Sequence, residues 1–397
     1  MRFHVVSLPH TQTTDQFPAC AFTEKVRNFC VMMMNLGHEV FLYSGEHNTT
    51  PCTEHIPCLT ETEQIIACGG RHYTQAVFDP KLPHWVTLNG NAIAGIARRI
   101  QERDFICVIT GWINKPLADA FPNHMTVEFG IGYAGSFAKY RVWESYAWMH
   151  TCYGATAQEP AKADGIWYDE VIPGYFDVDN FPFNDRKEDY FFFIGRLIDR
   201  KGWRIAEEVC KHLGKRLVVA GTGDEPTYGE YVGAVTPQQR NEWMRNAQAV
   251  FVPTIYVEPF GNVAVEAQAC GTPVICTDWG AFTETVVQGV TGYRCRTFQH
   301  FVDAAMLVRY LDPWTIRKHA WDHYSLQVIS QKYQTYFERL MTLWDKGWYQ
   351  LREEEVNAVK QGQIKQSRFI DHQQAKKGRL YQSEAARGNR SAAGRAL

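Results

Sequence analysis

The sequence predicts an α/β protein made of two doubly wound parallel-sheet domains, and three observations carry that prediction. Short apolar runs alternate with helical patterns from the amino terminus to about residue 131. The alternation breaks at "VIPGYFDVDNFPFNDRKEDY", where Pro, Asp and aromatic residues follow no period. It restarts at "YFFFIG" and continues through "PVICT". Strands that alternate with helices favour a parallel sheet covered on both faces. A chain of 397 residues is long enough for two such domains. The divisions fall at 1–175, 176–350 and a basic tail, 351–397, that is expected to be disordered.

In chain order, "RFHVVSL" reads as a first strand ending before Pro9. In "FTEKVRNFCVMMMNLG", Phe22, Val26, Phe29, Met33 and Leu36 recur at helical spacing and Gly37 is the stop. "HEVFLYS", "DFICVIT" and "MTVEFGI" read as further strands. In the second domain, strand "YFFFIG", helix "GWRIAEEVCKHLG" and strands "KRLVVAG" and "EYVGAV" follow one another. "TPQQRNEWMRNA" begins a helix with Thr236 as N-cap and Pro237 at the first helical position. Strand "AVFVPT" leads to a helix from Asn262 to Cys270, stopped by Gly271 and Pro273, and then to strand "PVICT". Beyond Asp312 the pattern is helical.

A formal net charge of −2 gives no sign of a general polyanion binder. Aromatic residues make up 14% of the chain, enough to serve stacking on sugars or bases as well as core packing. The 11 cysteines include no CxxC pair, and Cys52 and Cys58 do not match a zinc spacing, so reduced, mostly buried thiols are expected. No run is long enough for a membrane span or a signal h-region, which places the expected location in the cytoplasm.

The stretch "YVEPFGNVAVEAQACGTPVI" holds the densest chemistry. Gly261 and Asn262 lie where a strand feeds a helix. There, unbonded backbone N–H groups and the positive end of the helix dipole suit a phosphate. Gly261 removes a Cβ from that approach. Glu258 in the loop and Glu266 on the helix flank the position and can accept hydrogen bonds from hydroxyl groups. By themselves they are also what a surface loop and an exposed helix would carry. Arg196 and Lys201, in "FIGRLIDRKG", follow the first strand of the same domain and could neutralise a diphosphate leaving group. "VVAGTGDE" is a Gly-rich turn without the third glycine of a dinucleotide fingerprint.

Taken together, "GRLIDRKG", "VVAGTGDE", "PTIYVEPFGNVAVEAQACGTPVICTDWGAFTE" and "GVTGY" resemble the glycosyltransferases of family four, retaining enzymes with an E-x7-E element, over about residues 190–295. The resemblance implies the GT-B fold, two Rossmann-like domains facing across a cleft, with the donor in the second and the acceptor in the first. It further implies that Arg196, Lys201 and Glu258 are catalytic. The first two would hold the donor diphosphate and Glu258 would contact the transferred sugar. Gly195, Phe260, Gly261 and Asn262 would lie beside the sugar and diphosphate, Glu266 at the ribose and Val235 near the base. The co-substrate would be a nucleotide-diphosphate sugar, most simply a UDP-sugar, with no cofactor and no metal. A carboxy-terminal helix, "SQKYQTYFERLMTLW", would return to the first domain.

The first domain departs from that family's pattern. "LPHTQTTDQFPACAFTEK" has no glycine where a Gly-Gly loop is common, and "VITGWINKP" offers Trp112 and Asn114 where a histidine is common. His10 and His150 remain as candidates. Asp177 and Asp179, in "DVD", read as turn carboxylates rather than metal ligands. The segment 127–154, with Trp143, Tyr146, Trp148, His150 and Tyr153, reads as a buried helix after a Gly-rich approach, or as a wall that stacks a sugar or a flipped base. The expected acceptor is a glycan or lipid precursor. The segment is similar to phage-borne and environmental members of the family, which implies a hydroxymethylated pyrimidine in phage DNA as the alternative. A nicotinamide-dependent oxidoreductase and a non-catalytic nucleotide-sugar binder are the readings from other classes.

Overall fold

The computed structural model describes residues 1–343; the basic tail expected at 351–397 lies outside them. The chain divides into a compact unit, Met1–Glu338, which holds both sheets, and a second unit, Arg339–Leu397.

The first sheet is formed along β1 (Arg2–Val6), α1 (Ala21–Asn35), β2 (Glu39–Gly45), β3 (Glu54–Leu59), α2 (Glu61–Cys68), α3 (Pro83–Ala97), β4 (Phe105–Val108), α4 (Lys115–Ala120), β5 (Met125–Ile131), β6 (Tyr140–Trp143), α5 (Tyr146–Thr156) and β7 (Glu170–Val171). Its seven strands are parallel, in the order β3-β2-β1-β4-β5-β6-β7. Of the five apolar positions read from the sequence, α1 buries Val26, Phe29 and Met33, while Phe22 and the C-cap Leu36 are half-buried. α2 begins with a capping box in which Thr60 and Glu63 satisfy each other's backbone amides.

The second sheet follows along β8 (Phe191–Ile194), α6 (Trp203–Leu213), β9 (Leu217–Ala220), β10 (Glu230–Gly233), α7 (Pro237–Asn246), β11 (Ala249–Val252), α8 (Asn262–Ala269), β12 (Val274–Thr277), α9 (Phe282–Thr285), β13 (Gly292–Cys295) and α10 (Phe298–Leu307). Its six strands are also parallel, in the order β10-β9-β8-β11-β12-β13. α7 has Thr236 as N-cap, completed by Gln239. Each sheet reverses its strand order once, at β1/β4 and at β8/β11, and the crevice beyond the carboxyl ends at such a reversal is where ligands bind in open α/β sheets.

Two crossings join the halves. The segment between β7 and β8 runs beside the junction of α11 (Pro313–Tyr324) and α12 (Leu326–Met341). There the Phe176 amide donates to the Tyr324 carbonyl at 2.9 Å, and the Leu326 amide donates to the Phe176 carbonyl at 3.2 Å. α12 returns to the first sheet. Its Phe337 ring lies 4.7 Å from Phe3 and 4.9 Å from Phe105, and Tyr333 lies 5.3 Å from Phe29.

The buried helix expected after a Gly-rich approach in 127–154 is corrected: a helix does follow, but it starts only at Tyr146 and buries Met149 alone, and a strand precedes it. The segment is the end of β5, a loop, strand β6 and then α5. Three anchors impose the break. Glu128, buried, accepts from the Tyr133 hydroxyl and from the amides of Phe137 and Ala138, which shapes the loop. Arg141 pairs with the buried Asp169, which ties β6 into the sheet beside β7. Ser145 caps α5 through the Trp148 amide. Asp177 closes a turn through Asp179 N and Asn180 Nδ2, and Asp179 lies 3.8 Å from Arg317. Among the described residues no helix is long and apolar enough to cross a membrane. All 11 cysteines are free thiols.

Candidate active site

The loop after β8 and the loop after β11 bring the second half's reactive groups together. Lys201 ends a 3-10 turn whose Arg200 carbonyl accepts from the Ile255 amide, so the two loops are stitched together just before Glu258. Gly202, at φ +70°, turns the chain into α6. The Glu258 carbonyl accepts from the Ala281 amide, which fixes the other side of its loop. Within this frame Lys201 Nζ lies 2.9 Å from Glu258 Oε2. Burial alone would push the Lys201 ammonium down, but Glu258 and Tyr256 hold it above the ordinary lysine value.

α8 begins beside this pair. Gly261, its N-cap, sits at φ +84°, and no side chain caps the first turn. The helix therefore presents amide donors to the space in front of Lys201 and Glu258. That space is a cavity of about 300 Å³, lined from the second half by Gly195, Lys201, Thr254, Glu258, Phe260, Gly261 and Asn262. Phe260 is 2% exposed and also packs on Val265, Tyr324 and Phe176, so it serves as floor.

The first half supplies the opposite wall, through Phe22, Lys25, Gly132 and Glu144. Lys25 Nζ is 2.7 Å from Glu144 Oε2, and both side chains are largely buried. Burial pushes the Glu144 carboxyl up, Lys25 offsets this in part, and the charge of Glu258 adds to the rise. The cavity is thus bounded by two carboxylate–ammonium pairs, one from each half.

Three residues expected at the site lie outside the cavity lining. Arg196 is exposed just beyond Gly195. Glu266 lies further along α8 and pairs with Arg240 of α7 at 3.3 Å. Val235, half-buried past β10, packs against a buried cluster that includes Tyr190, Phe192 and Val250. His10 and His150 are also outside the lining. His10 is buried and its ring is pushed down to about 4, by desolvation first and by His84 second. His150 is exposed on α5, 6.0 Å from Tyr146 between ring centres. Trp112 is exposed, while Asn114 is buried against Asn89 at 3.0 Å. The glycine-free loop after β1 is held by buried hydroxyls, Thr11 to Thr23 at 2.7 Å and Thr13 to Ser44 at 2.9 Å.

Lys25 and Glu144 escape sequence reasoning because the pair joins positions far apart in the chain. The one signal is an acidic residue within the mostly apolar and aromatic stretch "RVWESYAW".

Two parallel Rossmann-like sheets, with a cavity lined from both halves, make up the GT-B class of fold. The structure of AviGT4, a glycosyltransferase involved in avilamycin A biosynthesis, superposes with a TM-score of 0.62 at 19% identity, over 86% of this chain and 98% of that one. Anabaena HepE in complex with UDP and glucose gives 0.58 at 13% identity, over 86% and 100%. Residues 188–308 match the family described as glycosyl transferases group 1. Within the sequence, 103 residues are 37% identical to sucrose synthase 2 of Zea mays, which is 25% of this chain and 13% of that protein. A stretch of 197 residues is 33% identical to the D-inositol 3-phosphate glycosyltransferase of Mycobacterium sp. (strain KMS), 41% of this chain and 44% of that protein. The chain thus spans less than half the length of these curated relatives.

Proposed function

We propose that the chain transfers a sugar from a nucleotide-diphosphate sugar, a UDP-sugar first of all, to a hydroxyl acceptor, with retention at the anomeric carbon and without a required metal. The observation that carries this reading is the uncapped amino end of α8 opening onto the Lys201–Glu258 pair. Amide donors and an ammonium converge where the diphosphate would sit, and a carboxylate lies where a sugar hydroxyl would need an acceptor. Arg196 supplies a second cation from the rim. Glu266 receives the ribose hydroxyls and Val235 packs near the base.

In the transfer, the bond from the anomeric carbon to the phosphate oxygen breaks and its electron pair stays on the diphosphate. Lys201, Arg196 and the α8 amides stabilise that charge. The acceptor oxygen bonds to the anomeric carbon, and its proton passes to the departing phosphate. The acceptor is a hydroxyl of a glycan or lipid precursor. The family matches above and the similarity to a UDP- and glucose-bound fold support the donor assignment.

The test is a mass-spectrometric screen of nucleotide sugars against glycan, lipid and hydroxymethylated-DNA acceptors. Sugar on a glycan or lipid supports the reading, and sugar on DNA alone replaces its acceptor. Turnover of nicotinamide cofactor without any sugar transfer overturns it.

A further inference from the structure

Two residues that line the cavity each carry a buried polar atom with no hydrogen-bond partner among the described residues, Glu144 Oε1 and Thr254 Oγ1. Both residues are nearly fully buried, at 4% and 1% exposure. A buried carboxylate oxygen left without a donor is costly, and such an atom in a native site points to a partner that arrives with a ligand. The other oxygen of the same group is held at 2.7 Å by Lys25, whose Nζ also lies 3.3 Å from the Gly130 carbonyl. The carboxylate is therefore fixed in orientation before any ligand binds.

Its place within the cavity selects the ligand group. Ser145, the next residue, bonds to the Pro259 carbonyl at 2.6 Å, and Pro259 follows Glu258. Glu144 also feels the charge of Glu258. It therefore lies at the Glu258 end of the space. Gly132 leaves room for it, since a side chain there would collide with the Glu144 carboxylate.

We propose that Glu144 is a specificity-determining residue supplied by the first half, accepting a hydrogen bond through Oε1 from one hydroxyl of the transferred sugar. The inference rests on the nucleotide-sugar reading given above. Glu258 and Glu144 then grip the sugar from opposite halves, and Lys25 serves as a positioning residue for Glu144. A ring lacking that hydroxyl would leave the carboxylate unpaired, which is the strongest form of discrimination a polar site offers.

The test measures binding of UDP and of UDP-glucose, UDP-galactose and UDP-N-acetylglucosamine to the full chain by calorimetry, followed by deoxy analogues of whichever sugar binds best. The wild type is compared with Glu144→Ala and the near-isosteric Glu144→Gln. Both variants should bind UDP within about twofold of the wild type but the nucleotide sugar about 10- to 100-fold more weakly. One deoxy analogue should lose a similar factor on the wild type and less than about twofold on Glu144→Ala, a coupling that a merely structural residue would not produce. Unchanged sugar-nucleotide affinity in both variants overturns the inference, as does the absence of any deoxy analogue that separates them from the wild type. A wild-type chain that binds no UDP and none of these sugars overturns the transferase reading, and this inference with it.

Discussion

The Ser145 hydroxyl donates to the Pro259 carbonyl at 2.6 Å while accepting from the Trp148 amide at 3.1 Å. One small side chain thus caps α5 and ties the first half to the loop that carries Glu258. The amides of Tyr146 and Ala147 reinforce the contact by donating to the Glu284 carboxylate at 2.9 and 2.8 Å. Ser145→Ala should destabilise the chain by about 1–2 kcal/mol through loss of the cap and the bridging bond. Denaturant unfolding reads this directly. Ser145→Thr, which keeps the hydroxyl, should recover most of it.

Lys201 and Arg196 should separate in their effects. Lys201→Ala removes the cavity's ammonium on the second-half side and leaves Glu258 unpaired, so turnover of the nucleotide sugar should fall by roughly two to three orders of magnitude. Arg196 is exposed and lines no part of the cavity, so Arg196→Ala should leave thermal stability unchanged. Its weakening of donor binding should be about tenfold, the scale of one charge-assisted contact. Wild-type donor affinity in Arg196→Ala would remove Arg196 from the diphosphate site.

Gly261→Ala tests the cradle at α8. Position 261 has φ +84°, and an added Cβ would lie 2.6 Å from Phe282 Cε1. The left-handed backbone alone costs about 1–2 kcal/mol for a non-glycine residue, and the ring must also shift. Donor affinity should drop together with stability, measured by calorimetry and unfolding on the same preparation.

His10 predicts an acid sensitivity whose sign is fixed. Burial lowers its folded value from about 6.5 to about 4, so the unfolded chain binds the proton more readily between those values. This contribution to stability is complete above about pH 6.5 and is lost as pH falls towards 4, by up to about 3 kcal/mol from this one group. His10→Gln should flatten that part of the pH–stability curve, whatever it does to absolute stability.

Much of the second half was legible in the sequence because its signals are local. Thr236 and Pro237 mark the start of α7, and Gly261 and Gly271 bracket α8 within a single stretch. Glu258 and Lys201 were legible as chemistry, but their ion pair was not. It depends on two loops being sewn together through Arg200 and Ile255. β6 was hidden because four residues are too few to show alternation, and Arg141 stands where an apolar residue would mark the strand. Its pairing with Asp169 is a contact that periodicity cannot reveal. Lys25 and Glu144 were illegible for the same reason, since each looks locally like ordinary solvated charge.

The adjacency of the two chain crossings at Phe176 and Ser325 has a mechanical result. Because both connections are laced to each other rather than set at opposite sides, they define a single axis, as the spine does in a book. Sliding of one cover over the other would tear the lacing, and a rotation that widened the gap between Glu144 and Glu258 would also have to break the Ser145–Pro259 bond. Substitution at Phe176 should therefore be felt at both chain connections at once, while the cavity walls remain tied through Ser145 and Pro259.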